Sequence, residues 1–319
     1  MKKLFAYVSA VIFAATVVSC QQKASVVMPG EGNVTFSIQT PGVATKTIGD
    51  GTNVNVVYYE IYKAEDNHKN SINGGTPLID GTAEVTTKIV QNESVTSATL
   101  SFSLLEDQDY VALFWAQVDG TPYYNVEDLR AVSANYIDQD NKAYLANEEA
   151  RAAFCQVHEF STAAAYSATV ELVRPFAQLN LGTTMESLSK DYRIELQESK
   201  IEVKGVGTTY DVANMTTAGT RADVVFDFAA VPSQTLEVSG VEYAYAGMNY
   251  FLVPADASTV ELDYYIMTDV GTVHRSISQV PVMKNYRTNI IGNLLTTTAQ
   301  LEIVIDDEFK TPANDIVNN

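Results

Sequence analysis

Short runs in which every second residue is apolar recur along most of this chain. In "NVTFSIQ", Val34, Phe36 and Ile38 alternate with Thr35, Ser37 and Gln39. In "ATLSFSLL", Ala98, Leu100, Phe102 and Leu104 alternate with Thr99, Ser101 and Ser103. In "STVELDYYIM", Val260, Leu262, Tyr264 and Ile266 alternate with Glu261, Asp263 and Tyr265, and "QLEIVIDD" repeats the pattern with Leu301, Ile303 and Ile305. A β-strand turns successive side chains to opposite faces, so this period is a strand signal. Polar outer faces argue for antiparallel sheets with one wet side each. "VVYYEIY" reads the same way, with Val57, Tyr59 and Ile61 opposite Tyr58, Glu60 and Tyr62. "YVALFWAQV", "ATVELV", "FAQLNLG", "YRIELQ", "KIEVKG", "DVVFDF" and "YFLVP" add further strands, with turn signals at Gly74-Gly75 and Asp119-Gly120.

Many short strands separated by turns predict β-sandwiches rather than a parallel α/β fold. Helix is scarce, and the best candidate is "ANEEARAAFCQVH", with Asn147 as its cap and Glu148 and Glu149 in its first turn. At "ATVELVRPFAQLNLGT" two alternating runs meet at Arg174-Pro175. Proline cannot donate a ladder hydrogen bond, so one sandwich is expected to end there and a second to begin. The expected units are 34–175 and 176–319.

The chain starts with Lys2 and Lys3, then an apolar run from Leu4 to Val18, then Val17-Val18-Ser19-Cys20. The run is shorter than the ~20 residues a membrane-spanning helix needs. Its three regions are those of a secretory signal over 1–19. Its last residues resemble the bacterial lipobox, which implies that Cys20 receives a diacylglycerol and an acyl chain such as palmitate and becomes the first mature residue. Two or three chains hold a protein firmly on a membrane, so Cys20 is read as an anchor in the outer membrane and 20–33 as its tether.

A net charge of -19 opposes binding to nucleic acid. Three histidines, His68, His158 and His274, are widely spaced, and no metal-binding motif is present. "DQDNKAYLANEE" puts Asp138, Asp140 and Glu149 at the first, third and twelfth places of a calcium loop. Lys142 and Ala143 occupy its fifth and sixth places, and the sixth requires glycine. The segment is therefore read as a solvated acidic loop. No nucleophile elbow or phosphate-binding loop is found. The expectation is a non-enzymatic protein without metal or cofactor. Cys155 is read as a small buried apolar side chain.

The order of features resembles the fimbrillin-like lipoproteins, the subunits of type V pili. The resemblance rests on the lipobox, "GNVTFSIQTPG", "VATKTIGD", "VRPFAQLNLGT" and "NYRTNIIGNLLT" followed by "LEIVIDDEF". It implies two tandem transthyretin-like antiparallel β-sandwiches. It also implies proteolysis after a basic residue beyond the first strand, and filling of the vacated groove by a strand from another subunit. Val34, Phe36 and Ile38 are then the groove-filling residues, and Lys46-Thr47 the processing site. Lys46 is the lone basic residue between Lys23 and Lys63; its other reading is an ordinary loop charge. The expected partners are other pilin subunits or further copies of the chain, and a host or glycan ligand. The expected location is the cell surface, on the outer membrane or in a fimbrium after processing. A second reading is an anchored glycan-binding lipoprotein that does not polymerise, using outward tyrosines such as Tyr123 and Tyr264.

Overall fold

The computed structural model describes residues 31–40, 51–65, 68–72, 75–90, 93–162, 165–189, 194–296 and 301–306. Cys20, Lys46 and Thr47 lie outside the described residues. The first half contains β1 (Glu31–Gln39), β2 (Val56–Glu65), β3 (His68–Ile72), β4 (Ile79–Glu84), β5 (Thr86–Val90), β6 (Glu93–Leu105) and β7 (Asp109–Gln117). It continues with β8 (Tyr124–Asn125), β9 (Val132–Ala134), β10 (Ala153–Ser161) and β11 (Ala165–Glu171). The second half contains β12 (Phe176–Thr184), the helical turn α1 (Met185–Ser189), β13 (Leu196–Asp211), β14 (Thr216–Ala230) and β15 (Thr235–Val238). It ends with β16 (Val241–Leu252), β17 (Ala257–Thr268), β18 (Gly271–Met283), β19 (Arg287–Gly292) and β20 (Leu301–Asp306). The fold is all-β, as the alternation predicts.

Two sheets face each other in the first half, one in the order β11-β1-β6-β5 and one in the order β10-β7-β2-β3 with β4 also on β2. The apolar face of β1 meets β7 and β10 between the layers. In the second half a single sheet runs β18-β17-β13-β16-β12-β19-β20, with β14 and β15 off its path. It curls until β18 lies against β12, β19 and β20, so its two wings enclose a core of their own. Leu179, Ile201, Leu262, Tyr264, Val280 and Ile290 are among the side chains in it.

Arg174-Pro175 separates β11 from β12, as proline's missing donor predicts. The segment from Tyr123 to Ala152, however, leaves the first half and joins the second-half sheet: β9 pairs with β13 through Ser133 and Val132. The first half's tryptophan, Trp115, touches Tyr124 and Tyr210, and the apolar core is continuous across the halves there.

Two expectations are corrected. The helix proposed for "ANEEARAAFCQVH" is a single 3-10 turn, Glu149–Arg151, after which the chain is strand β10. Alanines favour helix only where packing does not decide, and here Phe154 and Cys155 pair against Ala116 and Trp115 of β7. The outer face of β2 and β7 is also not wet. Glu60 and Tyr62, opposite Val57 and Ile61, are buried under the 123–152 segment. The Glu60 carboxylate accepts from the Leu129 amide at 3.0 Å and from the Tyr62 hydroxyl at 2.6 Å. Burial raises its pKa, and these two hydrogen bonds oppose the shift.

Candidate functional site

β1 is hydrogen-bonded along both of its edges by strands remote from it in sequence. On one side it pairs antiparallel with β6, from Glu31↔Leu105 to Gln39↔Ser97. On the other it pairs parallel with β11, from Asn33↔Ala165 to Gln39↔Glu171. Thr40 N donates to Thr96 O at 3.0 Å and Leu172 N to Gln39 O at 2.8 Å, extending both seams. Within its sheet β11 pairs with β1 alone among the described residues. The first strand therefore occupies a slot whose walls are β6 and β11.

The alternation of β1 is fully expressed. Val34 and Phe36 have no exposed surface and Ile38 has 2%, while Thr35, Ser37 and Gln39 are half-buried on the other face. Phe36 sits in a box of rings. Phe114, His158 and Phe160 meet it edge-on at centroid distances of 5.5, 5.5 and 5.2 Å; Tyr166 lies at 6.1 Å and Phe102 at 6.4 Å. These rings come from β6, β7, β10 and β11, so this one side chain joins both sheets. Edge-to-face geometry of this kind adds to area burial. His158 Nε2 and the Tyr166 hydroxyl lie 2.8 Å apart, and burial lowers the imidazole pKa, which keeps the ring neutral at pH 7. The sequence flags Val34, Phe36 and Ile38 but not the box, because its members are spread from residue 102 to 166.

Among the described residues, His274, Asp263 and Ser276 come together but not in the order of a catalytic triad. His274 Nε2 lies 3.2 Å from Asp263 Oδ1, and the Ser276 hydroxyl donates to the same oxygen. A triad needs the imidazole between carboxylate and hydroxyl; here the carboxylate stands between the other two. Asp138 Oδ1 accepts from the Asp140 and Lys142 amides at 2.9 and 2.8 Å, closing a turn on itself. Among the described residues no three His, Cys, Asp or Glu side chains are grouped to hold a metal. No helix among them is long and apolar enough to cross a membrane.

Cys155 is fully buried, and burial pushes its thiol up to about 12, against a smaller opposing effect of the Tyr210 hydroxyl. In a Cys20→Ser variant, a thiol reagent at pH 8 is expected to label Cys155 only after denaturation. The folded chain holds the neutral thiol while the unfolded chain ionises near 9.0. This contribution to stability is therefore complete below about pH 9 and falls by about 1.4 kcal/mol per pH unit above it, up to the folded value. Urea midpoints that did not fall between pH 9 and 11 would contradict the assignment.

The tyrosine pairs divide unevenly. In β17 Tyr264 is buried, its hydroxyl donating to Leu294 O at 3.1 Å, while Tyr265 faces out and stacks on His274 at 4.3 Å. Tyr123 and Tyr124 are both turned inward, because Tyr123 precedes and Tyr124 opens a two-residue strand, too short to impose alternation on the pair. Tyr123 and Tyr264 are thus core side chains, and the expectation that they face outward is corrected.

A model of the family DUF6562, a family of unknown function, matches residues 24–318, and the chain belongs to that family. No curated protein matches the chain. Among solved structures it is similar to a fimbrial assembly protein from Parabacteroides distasonis, at 13% identity over 86% of this chain and 100% of that one, with a TM-score of 0.47. It is also similar to the tip fimbrial protein Mfa3 from Porphyromonas gingivalis, crystallised with a C-terminal truncation. That match is at 12% identity over 86% of this chain and 99% of that one, with a TM-score of 0.43.

Proposed function

We propose that the chain is a non-enzymatic, pilin-like adhesion subunit, exported and anchored at the outer membrane through Cys20, which assembles by exchange of its first strand. One observation carries this reading: β1 is the first described strand, yet it fills an internal slot between β6 and β11. Lys46 falls between the end of β1 and the start of β2. A cut after it makes Thr47 the new terminus and leaves β1 held by hydrogen bonds and burial alone; exchange of β1 then carries the lipid away with it.

The energetics explain why the vacated slot needs an occupant. Burial of three apolar side chains contributes about 1.5–3 kcal/mol each, together comparable to the ~5–15 kcal/mol stability of a whole domain. Loss of β1 also leaves the β1-facing backbone groups of β6 and β11 without partners. A strand from another copy or another subunit restores both through main-chain hydrogen bonds and alternate side-chain pockets.

The test is limited digestion of the lipidated chain with a lysine-specific protease, followed by electrophoresis without boiling. The expected result is a new N-terminus at Thr47 and a ladder of oligomers. A synthetic peptide spanning 31–40, added in excess, should cap the slot and hold the cut protein as monomer. Complete cleavage after Lys46 with release of β1 and persistent folded monomer, without added peptide, would refute strand exchange.

A further inference from the structure

On the first half, away from the slot, lies an open cleft of about 610 Å³ between β2, β8 and the turn that follows β9. Its volume is in the range of small-ligand sites, about 300–1,000 Å³. Tyr58 and Tyr144 contribute aromatic walls and Ile137 an apolar one. Ile137 is 54% exposed although it is a large aliphatic side chain, so the cleft leaves apolar surface open to solvent. Glu127, Asp138 and Gln139 supply polar groups along the same walls.

The cleft is built rather than incidental. Tyr144 is held edge-on by Tyr123, with centroids 5.2 Å apart at 82°, and by the guanidinium of buried Arg151, 5.6 Å from its ring centre. Its backbone is fixed to β14 by Asp227 N donating to Tyr144 O at 2.8 Å. Asp138 is oriented by the two amide hydrogen bonds to its Oδ1, and Oδ2 has no partner among the described residues. The carboxylate of Glu127 and the amide of Gln139 are exposed and likewise without partners among the described residues. Tyr144 and Asp138, already placed by these contacts, lose little conformational entropy on binding.

We infer that this cleft binds a segment of a neutral polysaccharide. Sugar rings present apolar C–H faces, which stack on aromatic rings, and a rim of hydroxyl donors, which suits carboxylate and amide acceptors. No lysine or arginine lines the cleft, and Glu127, Asp138 and the net charge of -19 repel uronates and sulfated glycans. A wholly apolar ligand would strip water from the two carboxylates without replacing its hydrogen bonds. The inference is independent of strand exchange, since β1 contributes nothing to the cleft.

The experiment is affinity electrophoresis of the intact folded protein in gels containing starch, xylan, mannan or polygalacturonate. Retardation is expected in at least one neutral gel and not in polygalacturonate. Tyr144→Ala and Glu127→Ala should each weaken it about 10-fold, while Tyr265→Ala, which removes an outward ring elsewhere, should leave it unchanged. Glu127 is exposed, so its substitution spares the fold; a denaturation midpoint checks the same for Tyr144→Ala. Migration unaltered in every neutral gel, retardation confined to polygalacturonate, or retardation insensitive to both cleft variants would each overturn the inference.

Discussion

Phe36→Ala is expected to destabilise the protein by about 3–5 kcal/mol, the usual cost of truncating a large buried ring. The site cannot collapse easily, because Phe102, Phe114, His158, Phe160 and Tyr166 come from four strands in two sheets whose spacing their ladders fix. Thr35→Ala, one residue away on the opposite face, should change stability by under about 0.5 kcal/mol. Urea denaturation of both variants measures the contrast. The same pair also bears on assembly. If β1 is the exchanged strand, a competing 31–40 peptide carrying alanine at position 36 should fail to cap the cut protein. The peptide with alanine at position 35 should still cap it. Equal effects of the two substitutions would mean that β1 is not seated by its apolar face.

The second large effect is expected at Arg151, a side chain with 2% exposure and no carboxylate in ion-pair range among the described residues. Its guanidinium lies 4.5 Å from the centre of Tyr123, 5.4 Å from Tyr136, 5.3 Å from Phe226 and 5.6 Å from Tyr144. Nη2 donates to Asn135 O at 2.8 Å, while Nε and Nη1 make no hydrogen bond. Ring faces stand in for the missing counter-charge, and a desolvated cation–π contact contributes about 2 kcal/mol. Arg151→Ala opens a cavity under the cleft, strips Asn135 O of its donor and loses the ring contacts. A destabilisation of about 3–4 kcal/mol is expected. Arg151→Met keeps most of the volume and relieves the desolvated charge, so it should cost under about 1.5 kcal/mol. Equal costs for the two would show that charge rather than packing holds this region together.

β1 suits the proposed exchange because of where its neighbours lie. A strand joined to its partners by short hairpins would stay tethered after a single cut. β1 instead meets β6 and β11, which begin at Glu93 and Ala165. Its placement is decided by long-range pairing, and in the proposed exchange one break in the chain before β2 would free it to be replaced. The interior position also means that its loss would not be silent, since β11 keeps no other partner within its sheet among the described residues.

Much of the architecture was legible from the residues alone. Val34, Phe36 and Ile38, and Val260, Leu262 and Ile266, point inward as their spacing requires, because strand periodicity is local and each residue carries its own preference for water or core. Arg174-Pro175 likewise separates two strands through a backbone donor that proline lacks. Other features depended on partners that no local pattern names. The second faces of β2 and β7 are covered by the 123–152 segment, which runs across to the second-half sheet, so Glu60 and Tyr62 are buried where alternation made them wet. The stretch from Ala153 onward became strand because β7 offered a hydrogen-bonding edge. The four rings around Arg151 come from positions 123, 136, 144 and 226, which no local pattern joins. Sequence determined which residues seek water and which avoid it, at a period that only sheets satisfy. Tertiary structure decided which strands flank the first one and which aromatic side chains gather at the cleft, because those contacts join residues tens of positions apart and exist only once the chain has closed on itself.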